Sequence, residues 1–177
     1  AMSDFQQQQS KTPVVSILTG PRSQVAWAAK RAIDLAGGVV GLVLLIPLFL
    51  GISAAILLTD GGPVIYRQER VGLHGRRFRV VKFRSMVKDA DALLGGLRGY
   101  NEINGPAFKM TSDPRVTRVG RFLRRSSLDE LPQLWNVIRG EMSLVGPRPL
   151  RLDYLPYFTD RERLRHTVLP GLTGWAQ

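Results

Sequence analysis

Two adjacent carboxylates, Asp129 and Glu130, stand directly behind a run of arginines that ends in Arg124 and Arg125, and a further arginine, Arg148, lies between Pro147 and Pro149. These residue types suit attack on a phosphate ester. At the positive end of a helix and beside guanidinium groups, Asp129 is expected to keep its anionic form and to serve as a nucleophile at neutral pH. Carboxylate attack at phosphorus gives an acyl phosphate. Because two anions repel on approach, a divalent ion between the neighbouring carboxylate and the phosphates is expected, and an all-oxygen donor set selects Mg²⁺. The flanking prolines restrict the backbone at Arg148 and prepare its guanidinium for forked contact with phosphate. An aspartate held anionic is a poor general acid, so the division of labour used by glycosidases does not fit. The acidic pair also has a plain structural explanation. Ser127-x-x-Glu130 matches a capping box, and acidic residues favour helix starts; both readings stand at this level.

The elements that must hold these groups follow from periodicity. Val116, Val119, Phe122 and Leu123 recur at helical spacing after Asp113-Pro114, with Arg115, Arg118, Arg121 and Arg124 on another face. That cationic face lies on an anionic bilayer, turns toward bound phosphate, or is simply solvated. Leu131, Leu134, Trp135 and Ile138 give the next helix an apolar stripe, Gly140 is its stop, and Pro132 leaves its first residue open between Ser127 and Asp129 as N-cap. Upstream, strands are expected over residues 64–70 and 78–86, joined across Gly72-Leu73-His74-Gly75. In the second strand Lys82 and Arg84 share a face with Phe78 and Val80, so the strand borders a polar site. A short helix over residues 87–94 and a loop over residues 95–106 follow, and residues 160–166 read as a charged helix surface.

Residues 35–58 carry no charged side chain, a run longer than the roughly 20 residues needed to reach across bilayer hydrocarbon. Lys30 and Arg31 precede it, and Arg67, Arg70, Arg76 and Arg77 follow it. Basic flanks favour the cytoplasmic side, so a through-span would export one of them against that preference. Pro47 bends the axis midway. A re-entrant helix that dips in and returns satisfies both flanks, with residues 44–46 deepest; a spanning helix and a buried core helix are the alternatives. Residues 1–24 contain a glutamine tract and are expected to form a flexible arm, with Ala1-Met2 expected to be a cloning remnant.

The chain has 177 residues, no cysteine, two histidines and a formal charge of +11 from 25 Lys+Arg against 14 Asp+Glu. Disulfides, thiolate catalysis and cysteine-based zinc sites are excluded. The basic surplus calls for an anionic partner, either phosphorylated substrate, acidic lipid or nucleic acid. No G-x-G-x-x-G or P-loop signature is present, and no aromatic-basic interleaving of the kind that stacks bases. A membrane-surface basic module or scaffold without catalysis explains the charge but gives Asp129 no role.

Arg31-Ala-Ile-Asp34, Lys82-Phe-Arg-Ser-Met86, Ser127-Leu-Asp-Glu-Leu-Pro-Gln-Leu134, Gly146-Pro-Arg-Pro149 and Pro170-Gly-Leu-Thr-Gly-Trp-Ala-Gln177 occur in this order. Together they resemble the bacterial sugar transferases, the monotopic phosphoglycosyl transferases, over about residues 28–177. The resemblance implies an α+β fold: a small monotopic membrane domain with a bent re-entrant helix (25–59), a short basic β-hairpin and amphipathic surface helices in a catalytic region (60–177). It implies transfer of a sugar 1-phosphate from a UDP-sugar to undecaprenyl phosphate, a polyprenyl phosphate acceptor, with Mg²⁺, at the cytoplasmic face of the bacterial inner membrane, and no nucleic-acid partner. By motif, Asp129 is the nucleophile, Glu130 its partner and a magnesium ligand, and Arg124, Arg148, Lys82 and Arg84 the phosphate-binding set. Pro47 matches the break in the membrane helix. Family members continue beyond Gln177, so the catalytic region is expected to be cut at its C-terminus.

Overall fold

A computed structural model describes residues 24–102 and 108–174. The expectations for the N-terminal arm, for part of the 95–106 loop and for the Trp175-Ala-Gln177 motif lie on or partly on residues outside that set. The chain divides into two compact units, up to Ile33 and from Asp34 onward, and all the packing described below belongs to the second.

Helix α1 (Gln24–Leu44) and helix α2 (Ile46–Asp60) are bent by 59° at Leu45. Pro47 therefore does not kink a continuous helix. It sits in the first turn of a new one, where a missing N–H leaves the helix itself intact. Leu45 bridges the break, donating to the Gly41 carbonyl at 3.0 Å and accepting from Phe49 at 2.8 Å. Ser53 plays no part in it and bonds its own helix at the Phe49 carbonyl. Among the described residues no single helix is long and apolar enough to cross a membrane; α1 and α2 together meet that length and composition.

Only Ile52 and Ile56 of α2 are buried. They pack with Phe83 and Leu123 in one core cluster, to which Phe49, Val119 and Leu128 add. Leu44, Leu50 and Leu58 project outward, Leu58 at 87% exposure. This is not a core helix, because protein covers only one of its stripes.

Strands β1 (Ile65–Val71) and β2 (Arg77–Phe83) form an antiparallel hairpin with Tyr66 opposite Lys82 and Arg70 opposite Phe78. The turn between them is a short 3₁₀ segment in which His74 takes φ 53°. Directly opposed residues share a face, so Arg70 lies on the Lys82 face. Val80, on that face, enters a second core cluster with Val137 and Met142, while Phe83, on the other face, meets α2.

Helix α3 (Ala90–Leu97) runs later than expected and takes in Gly95 and Gly96, which the sequence places in a loop. Helix α4 (Arg118–Arg125) also starts late. Asp113 folds back to pair with Arg115, and the N-cap is Thr117, whose hydroxyl accepts from Gly120 N at 2.9 Å. Arg115 is thus buried outside the helix, while Arg118 and Arg121 remain exposed.

The acidic pair lies in a 3₁₀ segment, Leu128–Gln133, which leads into helix α5 (Leu134–Arg139). No capping box forms. Ser127 adopts φ 57°, and it is its carbonyl, not its side chain, that accepts from Glu130 N at 3.2 Å. A left-handed Ser127 turns its hydroxyl away from the N–H groups that a cap serves. Gly140 ends α5 in the left-handed region, as expected. Strand β3 (Ser143–Val145) pairs in parallel with β4 (Gly171–Thr173), and the one-turn helix α6 (Asp160–Arg163) lies between them in the chain.

One close approach sets the packing of α4. A Cβ on Gly120 would fall 2.0 Å from the Ser85 carbonyl oxygen, whereas one on Gly51 meets nothing within 4 Å. Gly120→Ala is therefore expected to lose about 3 kcal/mol or more of stability by forcing α4 off the segment after β2. Gly51→Ala, in the same assay, should be neutral or stabilising by up to about 1 kcal/mol. Thermal melts of the two variants in detergent check the contrast.

Candidate active site

Lys82 on β2, Glu130 in the 3₁₀ segment and Arg148 in the loop after β3 converge. The Lys82 ammonium lies 2.6 Å and the Arg148 Nη2 2.8 Å from Glu130 Oε1, and Arg148 Nη1 is 3.5 Å from Oε2. Each is placed by its own anchors. Asn136 on α5 donates to the Arg79 carbonyl at 2.8 Å and accepts from Val81 N at 3.0 Å, clamping α5 to the backbone on either side of Val80. The Pro-Arg-Pro loop is held from both sides. Leu150 O accepts from Val71 N at 3.0 Å on β1, and Pro147 O accepts from Gly171 N at 2.9 Å on β4.

A cleft of about 240 Å³, counting space continuous with solvent, opens here; Arg70, Lys82 and Arg148 line it with Glu130 and Gln133. Three cations face one carboxylate, so the cleft carries a net positive charge suited to a diphosphate. Sequence reasoning missed Arg70 and Gln133. The available signal for Arg70 was register, since antiparallel pairing places it on the face of Lys82.

Asp129 is buried, and among the described residues no ion pair engages it. Desolvation raises its pKa, Lys82 opposes the rise, Glu130 adds to it, and Arg124 opposes it further. The expectation that a helix terminus and arginines would stabilise its anion is corrected. The segment is 3₁₀ rather than an α-helix start, Lys82 and Arg148 are spent on Glu130, and burial dominates. Glu130 moves the other way. Burial pushes its pKa up, but Lys82 and Arg148 outweigh that and hold it below the ordinary glutamate value. Neighbouring carboxylates pushed apart in this way are a signature of divided roles.

The other predicted residues are placed differently. Arg124, within electrostatic reach of Asp129, donates from Nε to Ser85 Oγ at 2.8 Å. Arg84 does not face the cleft. It is buried and donates to the carbonyls of Asp60 (2.9 Å), Gly61 and Gly62 (2.8 Å), a cation closing the C-terminal end of α2. Asp34, buried on α1, accepts from Ser143 Oγ at 3.1 Å and Leu144 N at 3.0 Å, tying β3 to that helix. Pro47 lies in α2, outside the residues that line the cleft.

No cluster of three or more His, Cys, Asp or Glu exists among the described residues. Magnesium does not need one, because it takes one or two carboxylates and completes its shell with water and substrate phosphate. Among the described residues Asp129 has no ion pair and Glu130 Oε2 meets Arg148 at 3.5 Å, so the donor chemistry fits such an ion.

The opposed shifts make a stability prediction with a sign. Glu130, with its folded-state pKa depressed, contributes stability that is present above about pH 4.5 and lost as pH falls through the folded value. Asp129, with its folded-state pKa raised, loses stability as pH rises through the folded value. At neutral pH Glu130→Gln is expected to be destabilised by about 2 kcal/mol and Asp129→Asn to be at least as stable as the parent. Both differences should shrink toward pH 3.5, as read by denaturation between pH 3.5 and 8.

Comparison with known proteins gives this geometry a family. The family profile described as bacterial sugar transferase matches residues 25–177. The exopolysaccharide production protein ExoY of Rhizobium meliloti is 43% identical over 163 residues, 88% of this chain and 71% of its own length. The galactosyl transferase CpsE of Streptococcus agalactiae is 44% identical over 82% of this chain and 32% of its own length. The UDP-glucose:undecaprenyl-phosphate glucose-1-phosphate transferase of Escherichia coli is 43% identical over 93% of this chain and 34% of its own length. The chain thus spans about a third of the longer relatives and about seven tenths of ExoY. On this evidence it belongs to the bacterial sugar transferase family.

Proposed function

We propose that this chain is the catalytic part of a phosphoglycosyl transferase that moves a sugar 1-phosphate from a UDP-sugar to undecaprenyl phosphate. The reaction releases UMP and starts the assembly of a bacterial polysaccharide or glycoconjugate. The observation that carries the reading is the contrast inside the acidic pair: Glu130 is held by two cations of the cleft, and Asp129 beside it is buried and, among the described residues, without an ion pair.

In the first step an Asp129 carboxylate oxygen attacks the phosphorus that bears the sugar. An O–P bond forms, the bond to the UMP oxygen breaks, and UMP leaves with the electron pair. In the second step a phosphate oxygen of the polyprenyl phosphate attacks the same phosphorus, the acyl–phosphate O–P bond breaks, and the Asp129 carboxylate is restored. Lys82, Arg70 and Arg148 bind the phosphates and offset their charge, and Arg124 steadies the Asp129 anion electrostatically. A magnesium ion on Glu130, when bound, supplies further charge neutralisation to the transferring group. Burial leaves the Asp129 carboxylate poorly solvated and therefore more reactive toward phosphorus than an exposed one.

The relatives' names supply the donor and acceptor classes: the Escherichia coli protein is named for UDP-glucose and undecaprenyl phosphate, and one from Aeromonas hydrophila for UDP-N-acetylgalactosamine and undecaprenyl phosphate. The exposed outer faces of α1 and α2 and the bend at Leu45 support a helix pair that enters the lipid and returns on the cytoplasmic face, monotopic in the inner membrane.

Incubation with Mg²⁺ and a panel of UDP-sugars is expected to add the mass of one sugar phosphate to the protein, mapped to Asp129. Asp129→Asn should lose the adduct and lower transfer by roughly three orders of magnitude or more; an adduct that persists in that variant removes Asp129 from the role. The absence of cysteine allows a topology test. Single cysteines at Lys30 and Arg67 should both react with a membrane-impermeant maleimide from the same side of sealed vesicles, and labelling from opposite sides would refute the re-entrant arrangement.

A further inference from the structure

A second hollow of about 180 Å³, again counting space continuous with solvent, shares Arg148 as a wall with the cationic cleft. Val71, Pro147, Val168 and Pro170 give it aliphatic sides, and Arg165 and His166 add polar groups to that of Arg148. One nitrogen of each, Arg165 Nε and His166 Nε2, is buried and has no hydrogen-bond partner among the described residues. The two side chains are packed around Phe158, the guanidinium 5.7 Å from its ring and the imidazole 5.7 Å between centroids, so they are held where they are. An unpaired buried polar atom costs about 1–3 kcal/mol, and two beside one hollow mark a place where a ligand completes the bonding.

The lining selects among the parts of the proposed substrates. A prenyl chain would fill the aliphatic walls but leave both polar atoms unpaired. A hexose carries hydroxyls around its whole rim, and four of the seven lining residues named offer only aliphatic side chains. A planar base, apolar on its faces and polar along one edge, meets both conditions.

We propose that this hollow is the nucleoside subsite of the donor, taking the pyrimidine base of a nucleoside diphosphate whose phosphates lie across Arg148 in the Arg70–Lys82 cleft. The inference rests on the donor assignment made above and adds where the nucleoside goes. Arg165 Nε–H donates to a base carbonyl, and the imidazole Nε2 accepts from the adjacent ring N–H. Burial and the neighbouring Arg165 and Arg163 hold the His166 pKa below its ordinary value, which keeps that nitrogen able to accept near neutral pH.

Isothermal titration of the full chain in detergent with UDP and with inorganic pyrophosphate, each with Mg²⁺, tests this. The parent is expected to prefer UDP at least tenfold. His166→Ala, which removes the acceptor, and Val168→Trp, which fills the hollow, should each weaken UDP about tenfold and leave pyrophosphate unchanged. They act by opposite changes of volume, and circular dichroism melts identify any variant that fails to fold. UDP affinity that is intact in the folded variants, or a parent that binds UDP no tighter than pyrophosphate, overturns the subsite and leaves the diphosphate cleft standing. UDP binding that is lost in both variants, from a parent that forms no covalent adduct with any UDP-sugar, supports the subsite and removes the transfer reaction instead.

Discussion

The interaction on which the site depends is the three-way ion pair of Glu130 with Lys82 and Arg148. It joins a β-strand, a 3₁₀ segment and a proline-bounded loop that are distant in sequence, and it does so at a single carboxylate. Removing Glu130 leaves Lys82, which is largely buried, short of a counter-ion, whereas Arg148, with 40% of its side chain exposed, keeps water. Glu130 also prevents Arg70, Lys82 and Arg148 from repelling one another across an otherwise unscreened cleft. Asp129 and Glu130, adjacent in sequence, end with carboxyl groups shifted in opposite directions, because burial dominates at Asp129 despite Lys82 and Arg124, whereas Lys82 and Arg148 outweigh burial at Glu130.

The rest of the fold holds these three elements in register. Asn136 ties α5 to the strand that carries Lys82, and the carbonyls of Pro147 and Leu150 tie the Arg148 loop to β4 and β1. Arg84 serves the same end from the other side of the sheet by capping the last turn of α2. The core cluster of Ile52, Ile56, Phe83 and Leu123 then packs that helix beneath the hairpin. Apolar surface that this cluster leaves outward on α1 and α2 is extensive, and water is a poor solvent for it.

Much of this was legible in the chain. The uncharged run, the basic hairpin and the stop at Gly140 follow from composition, alternation and turn residues, whereas the grouping of Asp129, Glu130, Lys82 and Arg148 at one site came from the family resemblance of their motifs. Local signals misled where tertiary contacts outcompeted them. Ser127-x-x-Glu130 has the letters of a capping box, yet Ser127 turns left-handed and Glu130 is drawn to Lys82 and Arg148. Asp113-Pro114 marks a helix start, yet Arg115 folds back onto Asp113 and Thr117 takes the cap. Arg84 alternates onto the Lys82 face on paper, but β2 ends at Phe83 and the guanidinium turns to the carbonyls that close α2.

By itself the sequence determined which groups carry charge, which stretch avoids water and which backbone positions are stiff or permissive, since these are properties of residue type and spacing. It determined that an acidic pair and several cations must be accommodated near one another. Only the tertiary structure decided which cation meets which carboxylate, and hence that Glu130 is the clamped partner and Asp129 the desolvated one. The reason is that ionisation depends on burial and on charges a few ångströms away, and those distances arise from strands and loops that meet only after folding.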